Sequence, residues 1–281
     1  MSNFPFCEHI NSVSELELII KQVREFRSSN NFNELYRGQG QDCWKLEPKI
    51  SRNIKEPQKI KILEENIIKD FFHLLKEKGI IDSISVGQKG KGFELEWLLL
   101  QQAQHYELPT RFMDWSGKWE TAICFAVADE CDDCCDGQFW IYFVPDKIWI
   151  SDNGKSNYMI ESPFEYEQTI FLNSSYTFSE NAQIQIAMRR KGTQNGRFCV
   201  QPYSKVIIPL EEQDEHKPYL HKIIIPAKYK ESIREELKSR GITKEALYVS
   251  EPLNQLDKIE YEKLIEEINK IVEGIRKRHK I

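Results

Sequence analysis

QQAQHYELPTRFMDWSGKWETA, residues 101–122, is the stretch on which the reading of this chain turns. A glutamine-rich helical segment enters a His-Tyr pair, meets Pro109, and presents Thr110, Arg111, Asp114 and Trp115 before an apolar helical pattern resumes. Pro109 closes off a helix over Glu94 to Tyr106, because proline disfavours helical geometry in the residue before it. Asp114 or Ser116 then caps a second helix, from Ser116 or Gly117 to Asp129. In that reading the free N–H groups of the second helix point toward Arg111. An anion would find partial positive charge, a planar guanidinium fork and the Thr110 hydroxyl together. The same residues admit a structural reading, in which Asp114 caps, Arg111 pairs with Asp114, and Trp115 fills the core beside Trp119. His105 is likewise either a general acid or base or a hydrogen-bonded core residue.

Outward from this stretch the periodicities are clear. Ser14-Glu15-Leu16-Glu17 has capping-box form, and Leu16, Ile19, Ile20, Val23 and Phe26 share one face, which predicts a helix over 15–27. ELYRGQG, residues 34–40, is too short for a helix and ends among glycines, so it reads as a strand carrying Tyr36 and Arg37 into a turn. Ile60, Leu63, Ile67, Phe71, Leu74 and Leu75 mark a helix from Glu56 to Lys78, stopped by Gly79. GQFWIYFVP (137–145), GRFCVQP (196–202) and LHKIIIPA (220–227) read as strands, the last opening a helix over 227–239. Residues 258–281 form a final amphipathic helix with a basic tail. SVGQKGKGF (85–93) reads as a loop, NAQIQIAMRRKG (181–192) is ambiguous, and CDDCCDG (131–137) reads as a disordered acidic loop without the second ligand pair of a zinc site.

Composition shifts little along the chain. The expected fold is α+β, a single mixed domain with a central, mainly antiparallel sheet and peripheral helices. An N-terminal helical segment at 1–29 and a C-terminal helix with its basic tail at 251–281 flank it. The chain of 281 residues sets 39 Lys and Arg against 44 Asp and Glu, for a net charge of −5, so no overall field gathers nucleic acid. No run approaches the roughly 20 apolar residues of a membrane span, and MSNFPFCEHI lacks the pattern of a signal peptide. A cytoplasmic protein without a membrane partner is expected, its 7 cysteines reduced. No motif predicts a metal.

Arg37 in YRGQG is a second anion candidate, since an Arg at a strand end beside Gly brings both backbone and guanidinium to a phosphate. Its structural alternative is an Arg bridging carbonyls under the turn. RRKGTQNGRF, residues 189–198, is a third, as a polar binding loop or an ordinary connection.

YRGQ at 36–39, the Trp44, Leu46, Pro48 and Arg52 that follow, and LQQAQHYELPTRFMDWS at 100–116 together resemble the FRG domain family. That family is named for a Phe-Arg-Gly motif and has a second signature close to Gln-His-Tyr-Gly-Leu-Pro-Thr-Arg-Leu-Leu-Asp-Trp. The resemblance continues through Ala122, Phe125 and Ala126, DGQFW at 136–140, Gln194, Phe198 and IIIPA at 223–227, and it assigns 30–250 to an FRG domain. Tyr36 replaces the usual Phe and keeps an aromatic. Glu107 replaces the usual Gly and is strained if its φ is positive. The resemblance places Arg37, Gln39, His105, Pro109, Thr110, Arg111, Asp114 and Trp115 in family motifs. It also implies a bacterial protein with a defence or toxin role.

The expected function is an Arg-lined anion or nucleotide cleft, belonging to a NAD-consuming, ADP-ribosyltransferase-like or glycohydrolase enzyme. A non-catalytic nucleotide or phosphate sensor and a protein-interaction domain are the alternatives. Tyr36, Arg37, Gln39, Thr110, Arg111 and Trp115 are the expected ligand-binding residues. His105, Asp114 and Gln194 are the expected catalytic ones, with Gln194 or Asp114 standing where such chemistry uses a late carboxylate. NAD is the candidate substrate and no cofactor is assigned. The expected partners are a small nucleotide or phosphorylated ligand and a protein target. Arg37 and Arg111 are expected to converge with His105 and Asp114 in one cleft.

Overall fold

The computed structural model describes residues 9–27, 32–80, 94–145, 161–173, 196–247 and 258–281. The segments read at 85–93 and 181–192, and Gln194, lie outside the described residues. Six strands form one antiparallel sheet: Phe32–Gln39 (β1), Phe112–Ser116 (β2), Gly137–Pro145 (β3), Ile170–Asn173 (β4), Gly196–Val200 (β5) and Leu220–Ile225 (β6). Their order is β4-β5-β2-β1-β3-β6. Around them stand helices Val13–Arg27 (α1), Pro57–Glu77 (α2), Glu94–His105 (α3), Trp119–Val127 (α4), Ala227–Ser239 (α5), Lys244–Leu247 (α6) and Lys258–His279 (α7). This is the single α+β domain expected. No helix among the described residues is long and apolar enough to cross a membrane.

Strand alternation sorts the core into layers. On one face, α2, α3 and α7 cover the β4-β5-β2 half through a cluster that includes Phe71, Trp97, Phe112, Phe198 and Ile271. On the same face, α1, α4 and α5 cover the β1-β3-β6 half through Val23, Tyr36, Ile123, Phe139 and Ile233. The opposite face packs Leu35, Trp115, Trp140, Tyr142 and Phe171 beneath Leu46 and Leu210.

Three local readings change. The cap of α1 is Ser12 rather than Ser14: its Oγ accepts the Glu15 N–H at 3.2 Å, and the Glu15 carboxylate accepts the Asn11 N–H at 2.8 Å. Residues 112–116 form a strand, and α4 starts only at Trp119, with no side-chain cap from Lys118. Pairing with β5, from Phe112 opposite Val200 to Ser116 opposite Gly196, outweighs the capping preference of Asp114 and Ser116. Trp115 and Trp119 therefore belong to different clusters on opposite faces. Residues 130–132 form an ordered 3₁₀ turn, which Asp129 caps at 3.1 Å and the Arg234–Asp133 ion pair holds at 2.6 Å.

α4 rests on β1 backbone to backbone. A Cβ at residue 38 would lie 1.8 Å from the Ala122 carbonyl oxygen and 2.8 Å from the Ala126 nitrogen. Only glycine fits there. Gly38→Ala is expected to lose about 3 kcal/mol in urea unfolding, whereas Gly274→Ala, in an open helical position, gains about 0.5–1 kcal/mol. Equal effects at the two positions would show that the helix moves away at little cost.

Candidate functional site

β1 follows β3 in register from Phe32 to Gln39, but it meets β2 at the single pair Tyr36 and Ser116. Beyond that pair the strands part, and a cleft of about 500 Å³ opens between them. Residues of both sheet faces line it, Gly38 and Asp114 from the helical face and Arg37 and Trp115 from the other. Parting strands leave backbone groups to satisfy. The Arg37 guanidinium donates through Nη1 to the Asp114 carbonyl and so bridges the gap. This is the structural role foreseen for Arg37, though it leaves the side chain incompletely used: its Nε is buried without a hydrogen-bond partner. Burial lowers the Arg37 pKa from its ordinary value; Asp114 opposes that shift and Arg52 adds to it. A guanidinium remains charged through such a shift.

Three further cations line the same cleft, Lys49, Arg52 and Lys244. Arg52 is exposed, and Lys49 donates its ammonium to the Glu107 carbonyl at 2.9 Å. Neither forms an ion pair among the described residues. Burial lowers the Lys49 pKa, with Glu107 opposing and Arg276 and Arg52 adding repulsion. Trp115 contributes a second unmet donor, its buried Nε1. Asp114 is exposed on the cleft wall, and its Oδ2 accepts from Gln104 Nε2 at 2.8 Å. Gln104 is oriented in turn by Thr110, whose hydroxyl donates to Gln104 Oε1 at 2.7 Å and accepts the Phe112 N–H at 3.2 Å.

His105 lines the cleft at the end of α3, its ring edge-on to Tyr106 at 5.3 Å. The helix closes with a Schellman motif, Leu108 N–H to Ala103 O and Glu107 N–H to Gln104 O. That closure requires a left-handed residue at Glu107, whose φ is 63°. The strain foreseen for a non-glycine residue at that position is present. Lys49 and Arg276 both donate to the Glu107 carbonyl, so the basic tail of α7 helps hold this turn.

Arg111 lies elsewhere. It is 1% exposed, its Nε donates to Glu64 Oε2 at 2.7 Å, and its guanidinium stacks on Tyr203 at 3.6 Å. Its Nη1 and Nη2 donate to the carbonyls of Gln201 and Pro163. The expected convergence of Arg37 and Arg111 therefore fails. The helix N-terminus it invoked is a strand, and the partner of Arg111 is Glu64, not Asp114. Tyr203 also donates to Glu64, and burial, with the Glu64 charge adding to it, raises the Tyr203 pKa. Glu64 was legible as a carboxylate within the apolar stripe of α2, one turn after Ile60.

The remaining candidates divide. Thr110 is fully buried and acts through Gln104. Tyr36 borders the cleft, but its ring packs on Phe139 at 5.9 Å and its hydroxyl joins Glu34 and Arg24 at 2.5 and 2.9 Å. Gln39 is buried and accepts from Gln138 at 3.2 Å. Trp44, Lys49, Arg52 and Gln104 line the cleft without having been named as site residues. Trp44 and Arg52 were visible as positions the resemblance marked.

Residues 33–134 match the family model of the FRG domain. Over that segment the chain is similar to the FRG domain. No curated protein and no solved structure matches it. The FRG match spans β1, the cleft-lining turn, α3, β2 and α4, and so contains Arg37, His105 and Asp114.

The Arg111 network is expected to serve stability. Glu64→Ala should lose about 3–5 kcal/mol in urea unfolding, because it strands a buried guanidinium. The double replacement Glu64→Leu with Arg111→Met should recover most of that loss. A double variant as unstable as the single one would show that the charges themselves are needed.

Proposed function

We propose that the cleft of this FRG domain binds a nucleotide through its phosphate and that Asp114 assists cleavage at the ribosyl carbon, with NAD as the substrate consumed. The observation that carries the reading is the pair of buried donors without partners, Arg37 Nε and Trp115 Nε1, lining one cleft. Each such donor costs about 1–3 kcal/mol when unmet. Lys49 and Arg52 add positive charge without a compensating ion pair, which suits phosphate oxygens.

Asp114 supplies the carboxylate that ribosyl transfer needs. As nicotinamide leaves with the bonding electron pair, positive charge grows on the ribosyl carbon and an oriented carboxylate stabilises it; water then adds to that carbon and gives up a proton. Gln104 and Thr110 hold Asp114 in place, and His105 lies on the same cleft as the candidate proton-transfer group. Consumption of NAD would fit the bacterial defence or toxin role that the family resemblance implies. Binding without turnover is the second reading. It is favoured by the Gln104 hydrogen bond, which already occupies one Asp114 oxygen.

The test is thermal unfolding of wild type, Arg37→Ala and Asp114→Asn with NAD⁺, ATP, GTP and ADP-ribose, each mixture then analysed by chromatography. A bound ligand at 100 times its dissociation constant adds about 2.7 kcal/mol of stability. Arg37→Ala should lose the shift. Asp114→Asn should keep the shift and lose consumption. A wild type that is stabilised and consumes nothing would establish the sensor, and a shift that survives in Arg37→Ala would overturn the phosphate assignment.

A further inference from the structure

Trp44 is 43% exposed on the cleft wall, while Trp97, Trp115 and Trp140 are at most 6% exposed. A single exposed aromatic is ordinary on a protein surface. The manner in which this one is held is not. Its loop follows β1, and its backbone is gripped from beneath by side chains of three other positions. Gln138, fully buried, donates to the Gln41 carbonyl at 2.9 Å and the Trp44 carbonyl at 2.6 Å. Lys222 donates to the Asp42 carbonyl at 2.8 Å, and Lys230, fully buried, to the Gly40 carbonyl at 2.6 Å. The loop N–H groups are engaged as well, Asp42 with the Asp136 carbonyl at 2.7 Å and Trp44 with Gln41 at 3.3 Å.

Burying an ammonium and an amide beneath a surface loop is costly unless they are well satisfied. Here the loop that carries Trp44 supplies most of their acceptors, with the Asp132 carbonyl a second partner of Lys230 and Gln39 Oε1 a further one of Gln138. Gln138 Oε1 accepts from Trp140 Nε1 at 3.0 Å, which fixes the orientation of the amide.

We propose that Trp44 is the stacking wall for a nucleobase, that the ligand is therefore a nucleoside phosphate rather than a bare phosphate or sugar phosphate, and that Gln138 is the positioning residue holding Trp44 in place. The inference rests on the reading of Arg37 as the phosphate end. β1 rises about 3.3 Å per residue, so Arg37 and Gly40 stand about 10 Å apart along the cleft. Phosphate at one end and base at the other fill that span. The side-chain groups differ along that span: Arg37 and Lys49 both interact electrostatically with Arg52, whereas Asp132 adjoins Gly40 and accepts from Gln41 at 2.8 Å. The Asp132 carboxylate offers an acceptor to hydroxyl or amino groups of a nucleoside.

Titration calorimetry of the full chain against inorganic pyrophosphate, ribose 5-phosphate, ADP and NAD⁺ tests this. ADP and NAD⁺ should bind at least about tenfold more tightly than the other two, the size of one base-on-ring stack. Trp44→Ala should remove that excess and leave pyrophosphate unchanged, Trp44→Phe should retain most of it, and Gln138→Leu should lose it while remaining folded. Equal affinity for ADP and pyrophosphate, or equal weakening of both by Trp44→Ala, would overturn the stacking wall and leave the phosphate end standing. Affinity for ADP and pyrophosphate that is unchanged in Arg37→Ala would instead overturn the phosphate end. Absence of binding by all four probes would overturn both.

Discussion

The Ala122 carbonyl occupies the space where a side chain at residue 38 would stand, and the rest of the site depends on that contact. It seats α4 directly on β1, so that the strand is held from below by helix backbone and on one edge by the long ladder with β3. Its other edge is left with one registered pair to β2. A central strand normally pairs along both edges. Here one edge opens midway, and a cleft lined by main chain and side chains of both sheet faces results. Glycine at 38 therefore belongs to the architecture of the opening as much as to the packing of the helix.

Two arginines in family motifs meet opposite fates around that opening. Arg111 has a carboxylate, two carbonyls and an aromatic face, and its charge is enclosed within the core. Each of the three guanidinium nitrogens donates within the core. Arg37 has one carbonyl partner and an unmet Nε, with the Asp114 carboxylate and the like charge of Arg52 both close enough to act on it. The contrast separates the two residues more firmly than their motifs do, since both motifs mark an Arg beside small or polar residues.

What the sequence made legible follows from range. Helices over 57–77, 227–239 and 258–279, and the strands at 137–145 and 220–225, announce themselves by periodicity within a dozen residues. β2 does not. Its five residues sit between Pro109 and Gly117, Asp114 carries a strong local capping preference, and the partner that makes the segment a strand lies some eighty positions later in β5. The same limit hid the Arg111–Glu64 pair, whose members are separated by most of α2 and all of α3. His105, Asp114 and Arg37 were placed on one cleft by the motifs. Lys49 and Gln104 were missed as cleft-lining residues because their places arise from which carbonyl or carboxylate they face, and residue type alone does not encode that.

Glu107 joins these strands of reasoning. A left-handed glutamate closes α3 at a position where the family usually has glycine, and a β-carbon in that conformation is strained by roughly 1–2 kcal/mol. The strain persists because surrounding groups fix the turn: the two Schellman hydrogen bonds, Lys49 from the cleft and Arg276 from α7. Lys49 thus links a cation on the cleft wall to the closure of the helix that bears His105 and Gln104. The cleft wall and the C-terminal helix beyond the matched residues thus meet at a single carbonyl oxygen, that of Glu107, which takes one donor from each.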